Sequence, residues 1–202
     1  MNIKPGDIII VRHYSLLNAF KSVVIEAADE SLFLKISREQ SNAYFYAGDP
    51  IVLATTGSEN IRISGGRVHS YSQGEGILQV QVDIQKVENN ARRYERTPVS
   101  HYADIRLCDT CKKYQVLVKD ISFYGIMLFT KEDLHKGQQM DVDVFLDRDI
   151  MSFKAEVVRK LEGTIHMEYG LKILHRGPLV FNHIQNYVRK SQEEFNNAFN
   201  RK

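Results

Sequence analysis

The chain has 202 residues, with 27 lysines and arginines against 25 aspartates and glutamates, and 43% of its residues are hydrophobic. This composition is typical of a globular protein and excludes a chain that is mainly disordered or fibrous. The length fits one large domain or two small domains of about 100 residues, each able to bury its own core.

The sequence carries no sign of export or membrane insertion. Its N-terminus lacks the charged and apolar regions of a signal peptide, and no apolar run reaches the length of about 18 residues needed to span a membrane. It has two cysteines, Cys108 and Cys111, which are too few for a disulfide scaffold. We therefore expect a cytoplasmic protein.

The net charge of +2 is unevenly distributed along the chain. Residues 1–89 carry 8 basic and 10 acidic side chains, whereas residues 90–202 carry 19 and 15. This excess is too weak for a duplex-DNA binder by charge alone, but it leaves room for a local site that binds a compact anion.

The first half predicts a small β-domain. Short apolar segments alternate with polar residues and are separated by Gly, Asp, Asn and Ser, which is typical of strands and turns. The predicted strands are Asp7–Arg12, Phe20–Ala27, Ser31–Ile36, Ile51–Thr56, Ile61–Ser70 and Gly76–Asp83. Their spacing favours a barrel or sandwich, and Gly65 and Gly66 predict a bulge or bend in the fifth strand.

Residues 84–98 are polar, highly charged and closed by a proline, so we place a domain boundary at about residue 90. This divides the chain into a domain at 1–89 and a domain at 90–202. Six further strands are predicted at Val99–Leu107, Tyr114–Ile121, Gly125–Phe129, Gln139–Leu146, Ser152–Leu161 and His166–Leu174. The fold class is therefore mostly β, with two small barrels.

The C-terminal segment predicts an α-helix that begins at Pro178. Apolar residues recur at spacings of three, four and seven and form one stripe, at Val180, Ile184, Tyr187, Val188, Phe195, Ala198 and Phe199. We expect this helix to cap the second barrel or pack on a neighbouring surface. A homodimer contact through the stripe is the alternative.

Two short motifs suggest an anion site in the second half. Arg92, Arg93 and Arg96 lie within five residues, and guanidinium groups bind phosphates through forked hydrogen bonds and stack on purines. A solvated basic linker would explain this cluster equally well. About 25 residues later, Asp120, Ser122 and Gly125 stand where one strand ends and the next begins, although an ordinary turn has the same composition.

Taken together, Arg92-x-x-x-Arg96 followed by Asp120-x-Ser122-x-x-Gly125 resembles the two-part motif of the PilZ domain family of cyclic di-GMP receptors. The resemblance covers roughly residues 91–175. It implies a six-stranded β-barrel with a C-terminal helix, and a ligand held between the arginine-bearing segment and the barrel.

The resemblance also implies roles for individual residues. Arg92, Arg93 and Arg96 would bind the guanines and phosphates of cyclic di-GMP, while Asp120, Ser122 and Gly125 would face a guanine. Ala91 stands where an arginine favours a stacked ligand pair in the family, so a single bound ligand is implied here.

A β-domain followed by a PilZ domain is similar to the flagellar-brake proteins of the YcgR type. This similarity implies that ligand binding reorders the two domains, with flagellar motor or switch proteins as partners and the flagellar basal body as the site of action. Control of exopolysaccharide or biofilm formation is the alternative output. A single-strand nucleic-acid-binding barrel is the rival from another class.

Other chemistry is poorly supported by the sequence. Cys108 and Cys111 form one C-x-x-C motif in a predicted hairpin turn. A zinc site would need a second pair of ligands, and a thioredoxin-like role would need a βαβ unit. Coincidental turn cysteines are the simplest reading, with a redox or half-metal site left open. Asp141 and Asp143 alternate with valines and predict a solvated strand face rather than a cation site. No catalytic motif occurs, so we expect a receptor without cofactor, metal or enzymatic activity.

Overall fold

The structure is a computed structural model that describes residues 3–16, 18–28, 30–37, 44–56, 61–82, 96–146, 149–162, 167–174 and 178–200. Over these residues the chain is mostly β, with two closed six-stranded barrels and one helix, which confirms the predicted fold class. It divides into one unit of Met1–Gln85 with Glu194–Lys202 and a second unit of Lys86–Glu193. The predicted boundary at residue 90 lies outside the described residues and stays a prediction.

The first barrel is built from six antiparallel strands in the order β1-β2-β3-β6-β5-β4. Their bounds are β1 Ile8–His13, β2 Phe20–Ala28, β3 Ser31–Lys35, β4 Pro50–Thr56, β5 Ile61–Ser72 and β6 Ile77–Val82. Each described strand end lies within two residues of its prediction. Alternation predicted them well because every second residue of a barrel strand points into the core.

Gly66 is required by packing rather than by a bulge. The β4–β5 pairing runs without interruption through Gly65 and Gly66, and the register shift in β5 lies further on, between Val68 and Ser70. A Cβ atom at Gly66 would lie 2.5 Å from the backbone oxygen of Gln81 on β6. The bulge predicted at the glycine pair is therefore wrong in position, and Gly66 instead permits close approach of two strands.

The second barrel repeats the antiparallel design in the order β10-β11-β12-β9-β8-β7. Its strands are β7 Thr97–Leu107, β8 Lys113–Ser122, β9 Gly125–Thr130, β10 Gln139–Phe145, β11 Ile150–Glu162 and β12 Met167–Leu174. Here too the described strand ends lie within two residues of their predictions. The core is filled from all six strands, with Tyr169 among its largest fully buried side chains.

Helix α1 spans Pro178–Asn200 and begins where the sequence predicted. Ile184 and Val188 are fully buried in the core of the second barrel, and Val180 packs against the same core. The Tyr187 hydroxyl is hydrogen-bonded to Nε2 of His101 on β7. The first half of the apolar stripe therefore packs on the second barrel as expected, whereas the side chains of Phe195, Ala198 and Phe199 lie outside the described ones.

In the part of the chain that the structure describes, no helix is long and apolar enough to cross a membrane.

Candidate functional site

The two predicted motifs meet at one end of the β7–β8 strand pair. Arg96 directly precedes β7, and Asp120 lies near the end of β8. Because the two strands are antiparallel, the start of β7 lies beside the end of β8, and Pro98 is paired with Asp120. Residues that are 24 positions apart in sequence are thereby brought into contact.

Arg96 and Asp120 form an ion pair. Nη1 of Arg96 donates to Oδ1 of Asp120 at 3.0 Å and to Oδ2 at 3.4 Å. The Asp120 side chain is 4% exposed, whereas that of Arg96 is 22% exposed. A guanidinium carries five N–H donors and this contact uses one nitrogen, so Arg96 can hold Asp120 and an anion at the same time.

The β8–β9 connection is a tight turn that places Ser122 against Gly125. These two residues are paired, and the Ser122 hydroxyl donates to the Gly125 carbonyl oxygen at 3.1 Å. A Cβ atom at Gly125 would lie 2.6 Å from the backbone oxygen of Leu171 on β12. Glycine is therefore required here by strand packing, and the Ser122 oxygen keeps its lone pairs as acceptors.

An irregularity in the strands shapes the site. The β7 register shifts between Pro98 and His101, and the β8 register with β9 shifts between Val118 and Asp120. Such bulges change the direction of side chains within a strand. Here the bulge breaks the simple alternation of β8 immediately before Asp120.

Sequence reasoning missed a buried ion pair next to the site. Lys119 and Glu168 are 2% and 0% exposed, and Nζ of Lys119 donates to both carboxylate oxygens of Glu168. The one signal in the sequence was a lysine that directly follows three apolar residues, 116–118. An unpaired buried charge is strongly destabilising, so this ion pair links β8 to β12 at the residue that directly precedes Asp120.

The structure does not place every candidate residue at this site. Arg92 and Arg93 are outside the described residues, so the structure places Arg96 alone of the three arginines. Cys108 and Cys111 lie in the β7–β8 hairpin turn, at the opposite end of the strand pair from Arg96. In the described ranges, no group of three or more His, Cys, Asp or Glu side chains is arranged to hold a metal ion.

The outer face of β10 is solvated, as the alternation predicted. Val142 and Val144 are buried, whereas Asp141 lies 3.5 Å from Nζ of Lys154 and Asp143 accepts a hydrogen bond from Ser152. A shallow groove of about 410 Å³ crosses this face. Its charged lining alternates in sign, with Asp104, Asp141 and Asp143 against Arg106, Lys113 and Lys154. With both signs equally represented, this groove is poorly suited to an anion.

Comparison with known proteins points to one family. The PilZ domain model matches residues 90–190, which include the arginine segment and the Asp120–Gly125 turn. No curated protein matches the chain.

Several solved structures are similar to this chain at low identity. The Bacillus subtilis inhibitor of motility, MotI/DgrA, is 14% identical, with a TM-score of 0.46 and coverage of 95% of this chain and 98% of its own. Escherichia coli YcgR in complex with c-di-GMP is 14% identical, with a TM-score of 0.49 and coverage of 95% and 86%. The K. pneumonia MrkH–c-di-GMP complex is 12% identical, with a TM-score of 0.48 and coverage of 95% and 90%.

Proposed function

Because this chain belongs to the PilZ domain family, we propose that it is a cyclic di-GMP receptor and that it acts by binding rather than by catalysis. The family match confirms the resemblance drawn from the arginine and Asp-x-Ser-x-x-Gly motifs. The observation that carries the proposal is the Arg96–Asp120 ion pair beside the Ser122–Gly125 turn. The ion pair places the Arg96 guanidinium, which would bind a phosphate, beside the Asp120 carboxylate, which would bind a guanine edge.

The proposed contacts follow from the chemistry of each group. Arg96, with Arg92 and Arg93 from the preceding segment, supplies forked donors for the phosphates and flat surfaces for the guanines. Asp120 accepts hydrogen bonds from the N1 and N2 donors of one guanine, and the Ser122 oxygen accepts or donates nearby. Gly125 contributes by holding the turn close to β12.

Two variants at opposite ends of β7 test the site. Arg96→Ala removes a charged hydrogen-bonding group and should weaken cyclic di-GMP binding by more than about tenfold, equivalent to about 1.5–3 kcal/mol. Arg106→Ala is the matched control, because Arg106 is exposed at the far end of β7. Isothermal titration of both variants measures the effect. Equal affinity in the two variants would contradict the assigned site.

We extend the proposal to the output of binding. Ordering the arginine segment on the ligand changes the arrangement of the two units, and the altered protein acts on flagellar motor or switch components to restrain motility. The order of the two barrels, with the PilZ barrel second, supports this reading. Small-angle scattering with and without ligand tests the rearrangement.

A motility assay separates the two candidate outputs. The diameter of the swimming zone in soft agar should increase when the gene is deleted from its bacterium. It should decrease again when the wild-type chain is restored, but not when the Arg96→Ala variant is restored. Unchanged swimming together with altered biofilm mass would instead support control of exopolysaccharide or attachment.

A further inference from the structure

The β7–β8 hairpin turn presents two exposed thiols. Cys108 and Cys111 are both free and solvent-exposed, and they are the two cysteines of the chain. A cysteine that serves packing is usually buried, since the thiol behaves as a small apolar group. Exposure of both thiols therefore excludes a packing role for either of them.

The backbone at Cys111 is one that cysteine does not favour. Its φ is +55°, and it is the one non-glycine residue with positive φ in the described parts of the chain. A non-glycine side chain in this region costs about 1 kcal/mol or more, and glycine or asparagine would be the better turn residue. Backbone preference therefore does not account for a cysteine at this position.

The turn brings the two cysteines close together. The Cys111 N–H donates to the Leu107 carbonyl at 2.9 Å, which closes one helical turn around Cys108, Asp109 and Thr110. The Cα atoms of residues three apart in a tight turn lie less than about 7 Å from each other. Disulfides bridge Cα atoms separated by about 4.4–6.8 Å, so the turn brings the two cysteines into the range of Cα separations that a disulfide spans.

Contacts with the start of β10 keep the turn in place. The Cys108 N–H donates to the Gln139 carbonyl at 3.0 Å, and Nε2 of Gln138 donates to the Asp109 carboxylate at 3.1 Å. Lys112 and Lys113 follow directly and are exposed, and they outnumber the Asp109 carboxylate that lies between the two cysteines. The turn therefore combines a fixed dithiol with a net charge of +1 over residues 108–113.

We propose that Cys108 and Cys111 form a dithiol site that exchanges with small-molecule disulfides of the glutathione class. One thiolate attacks a sulfur of the disulfide, giving a mixed disulfide and one released glutathione thiolate. The second cysteine thiolate attacks the protein sulfur of that mixed disulfide, forming the Cys108–Cys111 bond and releasing the second glutathione thiolate. The two thiol protons pass to the released thiolates, so two cysteines are oxidised and one glutathione disulfide is reduced to two thiols.

This site is separate from the proposed ligand site. The length of β7 places its two ends roughly 30 Å apart, with Arg96 at one end and Cys108 at the other. Oxidation should therefore leave cyclic di-GMP affinity unchanged within about twofold, and a failure of either assignment would not affect the other.

Intact mass after redox equilibration tests the proposal on the full chain. Wild type, Cys108→Ser and Cys111→Ser are equilibrated in glutathione buffers, quenched with acid and alkylated. Within the mixed disulfide, the second cysteine competes with free glutathione at an effective concentration of about 1 mM or more. With total glutathione at about 0.1 mM, the wild type should therefore hold at least about ten times more intramolecular disulfide than mixed disulfide. Wild type should lose two hydrogen atoms and resist alkylation, while each single variant should hold one glutathione.

Three results would overturn the proposal. Wild type could carry glutathione on both cysteines, it could remain fully alkylated where the single variants hold glutathione, or it could form disulfide-linked dimers on a non-reducing gel. A zinc titration of the reduced chain provides a further test. Tight binding of one zinc ion per two chains, lost in both variants, would replace the redox site by a shared four-thiolate site.

Discussion

Gly125→Ala tests the strand packing that supports the candidate site. The added Cβ atom would lie 2.6 Å from the Leu171 oxygen, and ordinary contact at 3.4 Å requires the two strands to separate by about 0.8 Å. Forcing extra atoms into a packed structure costs about 1–3 kcal/mol, which exceeds the stabilisation of about 0.4–1 kcal/mol from a less flexible unfolded chain. We therefore expect a net loss of stability of the second barrel.

The same substitution should weaken ligand binding. Displacing the start of β9 moves the Gly125 carbonyl that accepts the hydrogen bond from Ser122, and with it the turn that follows Asp120. Stability is measured by urea denaturation followed by far-UV circular dichroism, because the chain has no tryptophan. Binding is measured by titration with cyclic di-GMP in buffer without urea, at a temperature at which the variant is folded.

Two further glycines serve as controls. A Cβ at Gly66 would lie 2.5 Å from a backbone oxygen in the first barrel, so Gly66→Ala should destabilise that barrel and leave ligand binding intact. Gly74→Ala meets no atom within 4 Å and should be neutral or slightly stabilising. The reasoning would be refuted if Gly125→Ala matched Gly74→Ala in both stability and binding.

Three other predictions concern the two cores. Lys119→Met leaves the buried Glu168 charge without its partner and should cost about 3–5 kcal/mol in urea denaturation, while adding Glu168→Leu should restore most of that loss; equal costs for the single and double variants would contradict a coupled pair. Burial lowers the pKa of His13 below its ordinary value of 6.5, although Asp49 opposes the shift. The stability this contributes is complete above about pH 6.5 and is lost as the pH falls through the folded-state pKa, so melting temperatures at pH 7.5 and pH 5 should differ less in His13→Asn than in wild type. Ile184→Ala empties a fully buried position and should cost about 2–5 kcal/mol by chemical denaturation, whereas a cost below about 1 kcal/mol would mean that the helix contributes little to the second barrel.

The sequence predicted the strands because several of them, such as β6 and β10, alternate between core and solvent. It also predicted that Asp120, Ser122 and Gly125 stand at a strand end, since carboxylate, hydroxyl and glycine are residues of turns. The helix was predicted from its apolar stripe, and Ile184 and Val188 are buried as that stripe required. These features depend on local patterns, which a single sequence contains.

What the sequence did not reveal depends on contacts between distant residues. Alternation does not predict that Lys119 is buried, because a bulge breaks the period of β8 at that residue. Its partner Glu168 is 49 positions away and has no sequence signal of its own. The reason for Gly66 was likewise misjudged, since the atom that excludes a side chain belongs to Gln81 on another strand.

Titration of the full chain with cyclic di-GMP tests the receptor assignment most directly, with GTP and a short single-stranded oligonucleotide as comparisons at two salt concentrations. The account predicts micromolar or tighter binding of cyclic di-GMP alone, and the same titration reports its stoichiometry. Binding of the oligonucleotide alone, with affinity that falls steeply with salt, would contradict the account and would indicate a nucleic-acid-binding barrel instead.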